Sequence, residues 1–424
     1  MKKRNQHYVF QAYLKKWHNK EKRLWCLENG KIELRDTIEV AQEEDFYRIS
    51  KLNDDEIKFL EYFWSDHTSI IQKQLMSHLR QYQISFVWEN ELALCNTIVD
   101  EINTTGSITK ETNDELLALS EYLCECLKNA SSDCDDKGRN EKALWQNEIK
   151  HLGMLILAAG CVGKNKGNAG IIAIFNETMK MLENLVDEAT NDLEEDFLSS
   201  IESETSRWMQ AFKKRNFATI EKQDKRELFL DIVIHYFRTK KNRDILQKNF
   251  QNIFSDAALM KKFQEFQPNI NPTNIRPESI KHLIFWDWQT ALANSLYAKK
   301  ACITLLVNET TTPFITSDQP LINLKADHEN PQQLQKLQPC EVKELLFYYP
   351  LSPRIAITID ADNSSEQINT INLQTKDVEE YNDKMVKASH EIIFANGKDI
   401  LEKIIESKNN DGREDNKDNE GIEP

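Results

Sequence analysis

Apolar residues recur every three or four positions through the middle of the chain, whereas near both ends they come in short runs broken by turn-forming residues. From Asn53 onward Ile57, Leu60, Phe63 and Trp64 share one helical face, which Ile70, Ile71, Leu75 and Leu79 continue. Asn53 followed by Glu56 has the spacing of a capping box. Helical periodicity returns at about 110–129, 140–160, 170–212, 224–252, 256–266 and 278–299, with polar joints between. Ahead of this region, Lys22 to Glu28 and Lys31 to Leu34 flank Asn29-Gly30, the dipeptide best suited to a type I′ hairpin. Behind it, Ala301 to Val307, Phe314 to Thr316, Leu345 to Tyr349 and Arg354 to Ile359 read as strands, followed by a helix from Thr375 to Ser389 and a strand from Ile392 to Ala395. The expected fold is α+β, with a large helical middle packed beside a mixed sheet formed by N-terminal and C-terminal strands. We expect a single unit over residues 1–406, comprising N-terminal strands (1–50), helices (51–300) and C-terminal strands (301–396), with 407–424 a disordered acidic tail.

Composition narrows the class. With 54 basic against 69 acidic residues the net charge is −15, and 40% hydrophobic residues are enough to bury a core. Only 11 glycines are present, too few to favour folds built on glycine-rich phosphate loops. The longest apolar run, near Leu152 to Val162, is too short to span a bilayer, so no membrane partner is expected. The basic start has no apolar stretch behind it, so no signal peptide is read and a cytoplasmic location is expected. Eight scattered cysteines imply reduced thiols and no disulfide framework.

Standard motifs fail on spacing. Gly160-Cys-Val-Gly163-Lys164-Asn165 is too short for a P-loop and lacks its Ser or Thr. Cys124, Cys126 and Cys134, with His151 downstream, do not match a zinc knuckle and read as core thiols. Glu-x-Lys triplets of the kind nucleases use occur at Glu56, Glu148 and Glu341, and only the last precedes an expected strand. Arg276 and His282 have the loose spacing of metal-free helical ribonucleases, although Pro277 suits a helix start better. The first 25 residues carry eight Lys or Arg against one Glu, or +7, interleaved with Tyr8, Phe10, Tyr13, Trp17 and Trp25. That mixture suits single-stranded nucleic acid, and the plainer account is a hairpin edge guarded by Lys.

Two polar groupings remain. One is Asn5 to Leu14, where His7 stands at the head of an apolar run, and the other is Thr312 to Pro320, where Thr316, Ser317 and Asp318 end a short strand. Together with Arg238-Thr239 and Arg243, they resemble the motifs of the bacterial family called domain of unknown function 4238. His7-Tyr8-Val9, Gln11, Tyr13 and Leu14 match its opening segment, Arg238-Thr239 its central helix, and Phe314 to Asp318 with Pro320, then Pro350 to Arg354, its closing strands. Phe10 stands where the family has proline, Trp17 where it has Phe, and Gln319 where it has Asn. The family is uncharacterised, so the resemblance implies a layout in which distant motifs meet and no particular chemistry. On that layout His7, Arg238 and Asp318 are the candidate catalytic residues and Arg243, Thr316 and Ser317 the candidate substrate-binding residues, with the N-terminal strand and the Phe314 strand in one sheet. Such a set fits phosphoryl chemistry on a nucleic acid or nucleotide, as in a bacterial defence or toxin-like effector, with metal and cofactor left open. The alternative is a non-catalytic binding or structural protein in which Arg238 and Asp318 form a buried ion pair and His7 anchors the first strand.

Overall fold

The computed structural model describes residues 5–417 except 45, 47–51, 64–68, 130–135, 163–167, 192–201, 203–204, 223–224 and 327–344. Cys134, Gly163 to Gly167, Glu341 and Lys343 therefore lie outside the described residues.

The chain opens with a short strand, β1 (Asn5–His7), and a single helical turn, α1 (Gln11–Leu14). Phe10 between them has φ −66° and ψ 141°, the backbone a proline would impose, so Phe for proline leaves the path of the chain unchanged. Next come β2 (Leu24–Glu28) and β3 (Lys31–Arg35), joined by Asn29 and Gly30 at φ 51° and 75°, the two left-handed positions of a type I′ turn. β4 (Gln42–Glu44) turns back and pairs antiparallel with β1, His7 opposite Gln42.

The helical middle follows. α2 (Asp54–Phe63) begins with the expected capping box: the Glu56 N–H donates to Asn53 Oδ1 at 3.0 Å and the Asn53 N–H to Glu56 Oε2 at 2.8 Å. α3 (Ser69–Thr105), α4 (Lys110–Asn129), α5 (Asp136–Gly160) and α6 (Ala169–Asn191) build a bundle with its own core, including Val87, Ile98, Leu123, Trp145, Leu152 and Phe175. The helix expected over 170–212 is divided, α6 ending at Asn191 and a further helical stretch, α7, lying at 205–213. α8 (Phe217–Lys222) precedes α9 (Lys225–Phe237), whose residues from Leu228 to Phe237 are buried on nearly every side, as befits a helix at the centre of a domain. The helix expected over 224–252 is also broken: α9 ends at Phe237, α10 (Lys240–Ser255) starts afresh, and Arg238-Thr239 forms the joint. α11 (Ala257–Phe266) leads to α12 (Pro277–Ala298), with Pro277 at its first turn and Arg276 before it. The Arg276 guanidinium grips the fully buried Glu56 through Nε at 2.9 Å and Nη2 at 2.7 Å, so the pair ties α2 to α12.

The last third is β-rich: β5 (Ala301–Val307), β6 (Thr316–Ser317), β7 (Ile322–Asn323), β8 (Leu346–Ser352), β9 (Ile355–Ser364) and β10 (Asn369–Asn372), then α13 (Thr375–Ala388), β11 (Ile392–Ala395) and α14 (Lys398–Lys417). One four-stranded antiparallel sheet runs β3-β2-β11-β6, so strands from both ends of the chain share it. A second, five-stranded sheet runs β10-β5-β9-β8-β7, mixed because β10 lies parallel to β5. The fold is α+β, with strands gathered from both ends, divided between two larger sheets and the β1-β4 pair. β1 does not join the sheet of β6, contrary to expectation, because the chain coils into α1 after three paired residues and β1 takes β4 as its partner. α14 continues through Lys417, so the segment expected to be unstructured from 407 begins as helix. Among the described residues no helix is long and apolar enough to cross a membrane.

Candidate functional site

Three hydrogen-bonded joints bring the sequence motifs together. In the first, Tyr13, fully buried on α1, donates its hydroxyl to the Pro350 carbonyl at 2.7 Å and meets Thr316 Oγ1 at 2.6 Å. Because the phenol has a single proton, the Thr316 hydroxyl is the donor in the second bond. In the second joint, Arg238, only 4% exposed, donates Nη2 to the His7 carbonyl at 2.8 Å and Nη1 to Glu202 Oε1 at 3.1 Å. In the third, the Thr239 hydroxyl donates to Gln319 Oε1, while Gln319 Nε2 donates to the Leu321 carbonyl at 2.8 Å. The N-terminal segment, the α9-α10 joint and the strand β6 region thus meet in one buried polar seam.

Within this seam the candidate side chains point in different directions. Asp318 is 1% exposed and accepts from the backbone N–H groups of His390 (2.9 Å), Glu391 (2.7 Å) and Ile392 (3.1 Å), closing the turn between α13 and β11. Burial raises its carboxyl above the usual range, and the three amides pull against that rise. The expected Arg238–Asp318 ion pair is replaced by Arg238–Glu202, since the Asp318 carboxylate faces the 390–392 backbone. Ser317 is also turned inward, donating to the Gln319 carbonyl at 3.0 Å and accepting from the Gln319 N–H at 3.1 Å. Arg243 is buried with its guanidinium 4.7 Å from the Phe46 ring centre, a stacked cation rather than an open phosphate clamp. His7 is half-buried, its Nε2 3.2 Å from Gln11 Nε2; burial lowers its pKa, nearby Arg238 adds to that, and the backbone of Thr37 opposes both.

Sequence reading missed Tyr13 as a polar anchor, Glu202 as the partner of Arg238, and His235. The His235 ring stacks on Phe10 at 4.6 Å between centroids, meets Thr205 Oγ1 at 2.9 Å, and is held well below pH 6.5 by full burial with Arg238 nearby. A signal was present: Asp231 and His235 interrupt an otherwise apolar helix, and polar groups there must find partners inside.

The basic N-terminal segment divides by chemistry. Lys15, Lys16, Lys20, Lys22 and Arg23 are exposed, whereas Tyr8, Phe10, Tyr13 and Trp17 are core residues and Trp25 packs partly buried against them. The aromatic half of a base-stacking platform is therefore absent from this surface. As to metals, Cys124 is half-buried, and the one group among the described residues whose donor atoms lie close enough for an ion is Glu91, Glu148 and His151 in the bundle, apart from the seam.

Fold and seam define an α+β protein in which the N-terminal segment is fastened through buried polar bonds to a helical core and to C-terminal strands. The chain belongs to the family described as protein of unknown function DUF4238, whose model matches residues 5–92 and 163–399. The stretch between the two matched segments holds the end of α3 with α4 and α5. No curated protein and no solved structure matches the chain.

Proposed function

We propose that the chain is a non-catalytic binding or structural protein, and that His7, Arg238 and Asp318 belong to a buried polar network that locks its N-terminal and C-terminal segments onto the helical core. The observation that carries this reading is Asp318, whose carboxylate is almost fully buried and occupied by three backbone amides. A general base or metal ligand needs an oxygen free to meet substrate, and Arg238 is likewise engaged at both ends. Asp318→Ala strands three N–H groups, one buried and two part-buried, so thermal or urea melts should show a loss of about 3 kcal/mol. Asp318→Asn, which keeps one acceptor, should fall between. An alanine variant that melts with the parent would remove the structural role.

A second reading, phosphoryl chemistry on a nucleic acid or nucleotide by a defence or toxin-like effector, draws support from the exposed Lys15, Lys16, Lys20, Lys22 and Arg23 and from a half-buried His7 in the same N-terminal segment. Under that reading labelled single-stranded oligonucleotides bind at low salt, and the slope of log affinity against log salt steepens by about 0.7 for each phosphate met. Replacing Lys15 and Lys16 by Ala then flattens the slope. Undetectable binding at low salt eliminates this reading and leaves the first.

A further inference from the structure

The bundle carries a polar cluster separate from the seam. Glu91 lies on α3, while Glu148 and His151 stand three residues apart on α5, a spacing that puts both on one helical face. One donor atom from each residue lies within 4.8 Å of the other two. Glu91 is 1% exposed, and its Oε1 is 2.9 Å from His151 Nδ1. That ion-pair contact apart, neither carboxylate oxygen of Glu91 has a hydrogen-bond partner. A buried carboxylate without hydrogen bonds is among the least favourable groups a core can hold unless positive charge sits against it. A protonated His151 balances only one of the two carboxylates, whereas a doubly charged cation balances both.

We propose that Glu91, Glu148 and His151 form a binding site for one divalent transition-metal ion of the manganese, iron(II) or zinc class. Metal–oxygen and metal–nitrogen bonds of about 2.1 Å set three ligand atoms roughly 3.0–3.6 Å apart, so donor atoms near the 4.8 Å limit need to close by roughly an ångström or a little more. Two carboxylates with one imidazole suit ions of intermediate hardness. Cys95, one turn beyond Glu91, is not among the three residues whose donor atoms come together, so the cluster is one of oxygen and nitrogen donors. His151 is 19% exposed, which provides an entry route from solvent. Glu148 and His151 lie between the two family-matched segments, so the site is independent of the motif seam.

The test uses the full chain, stripped with a chelator and titrated calorimetrically with zinc chloride and, separately, manganese chloride. One equivalent of at least one ion should bind saturably, and the melting temperature should rise with its concentration. Glu91→Gln and His151→Ala should each weaken binding at least about tenfold, the scale seen when metal-site partners are lost. Cys161→Ser, which removes an exposed thiol elsewhere, should leave it unchanged. Glu91→Gln keeps the shape of the side chain while removing a buried charge, so without metal it should melt no lower than the parent. The proposal is overturned by a parent chain that binds neither ion at one equivalent, or by variants that bind as the parent does. It is equally overturned by a metal-free Glu91→Gln chain that melts well below the parent, which would make Glu91 the settled partner of His151 alone.

Discussion

His235 is neutral in the folded protein because a charged imidazole would be fully buried beside Arg238. Its folded pKa lies well below the 6.5 of the free side chain, so below pH 6.5 the unfolded chain takes up a proton that the folded chain refuses. Stability therefore holds above pH 6.5 and drains away as the pH falls toward the folded value, at about 1.4 kcal/mol per pH unit for this one group. His7 is shifted in the same direction and adds to the acid loss. In His235→Gln, urea melts between pH 6.5 and 5 should be shallower in pH than the parent's by close to one proton. Equal slopes would mean that His235 is not neutral in the folded state. Much at this scale was legible in the sequence: the capping pair Asn53 and Glu56 and the left-handed turn at Asn29-Gly30 depend only on neighbours. Asp318 shows the opposite case. Its candidacy followed from the chemistry of a carboxylate, whereas its role follows from a backbone more than seventy residues downstream, which no local pattern encodes.

Elements were readable where periodicity alone forms them and unreadable where tertiary bonds cut across it. No glycine or proline marks the joint between α9 and α10, and its only local sign is the polar run from Arg238 to Asp244. The joint exists because Arg238 reaches the His7 carbonyl and Thr239 reaches Gln319, both remote in sequence. β1 is similar, since three residues cannot advertise which strand they will join. At the other end, α14 buries Leu401 and packs Ile400, Ile404 and Ile405 against the main core before continuing as polar helix. Truncation after Ser407 should leave the melting temperature unchanged, because it removes no residue of that apolar set. Truncation before Ile400 should lower it by about 5 °C or more, since several apolar side chains leave the core together. A scanning calorimetry pair of these two chains decides the matter: an equal drop in both would show that the polar half of the helix docks as well.

At the scale of the whole molecule, the buried side chains among the described residues fall into two clusters, one spanning both sheets with α9 and α12, the other confined to α3 through α6. Two cores of this kind melt as separate cooperative units when little joins them. Calorimetry of the intact chain should accordingly resolve two transitions, and Asp318→Ala should move only the one belonging to the sheets. A single transition whose calorimetric and van't Hoff enthalpies agree would show that α3 couples the cores tightly. Composition foresaw a large core and helical middle. It carried no sign of the division, because both cores use the same apolar residues at the same helical spacing.

At the tip of the bundle, Asn168 at the head of α6 donates to the carbonyl of Gly106 just beyond α3, so the chain leaves and returns at nearly one point. For a growing gene that point is a doorway. Sequence can be admitted between two positions already side by side at small cost in loop closure, and the frame around it need not rearrange. The family match pauses after residue 92 and resumes at 163, so most of the chain between Gly106 and Asn168 lies in the unmatched stretch. The same geometry offers an engineer a port for a fluorescent or affinity module, with the motif seam left undisturbed.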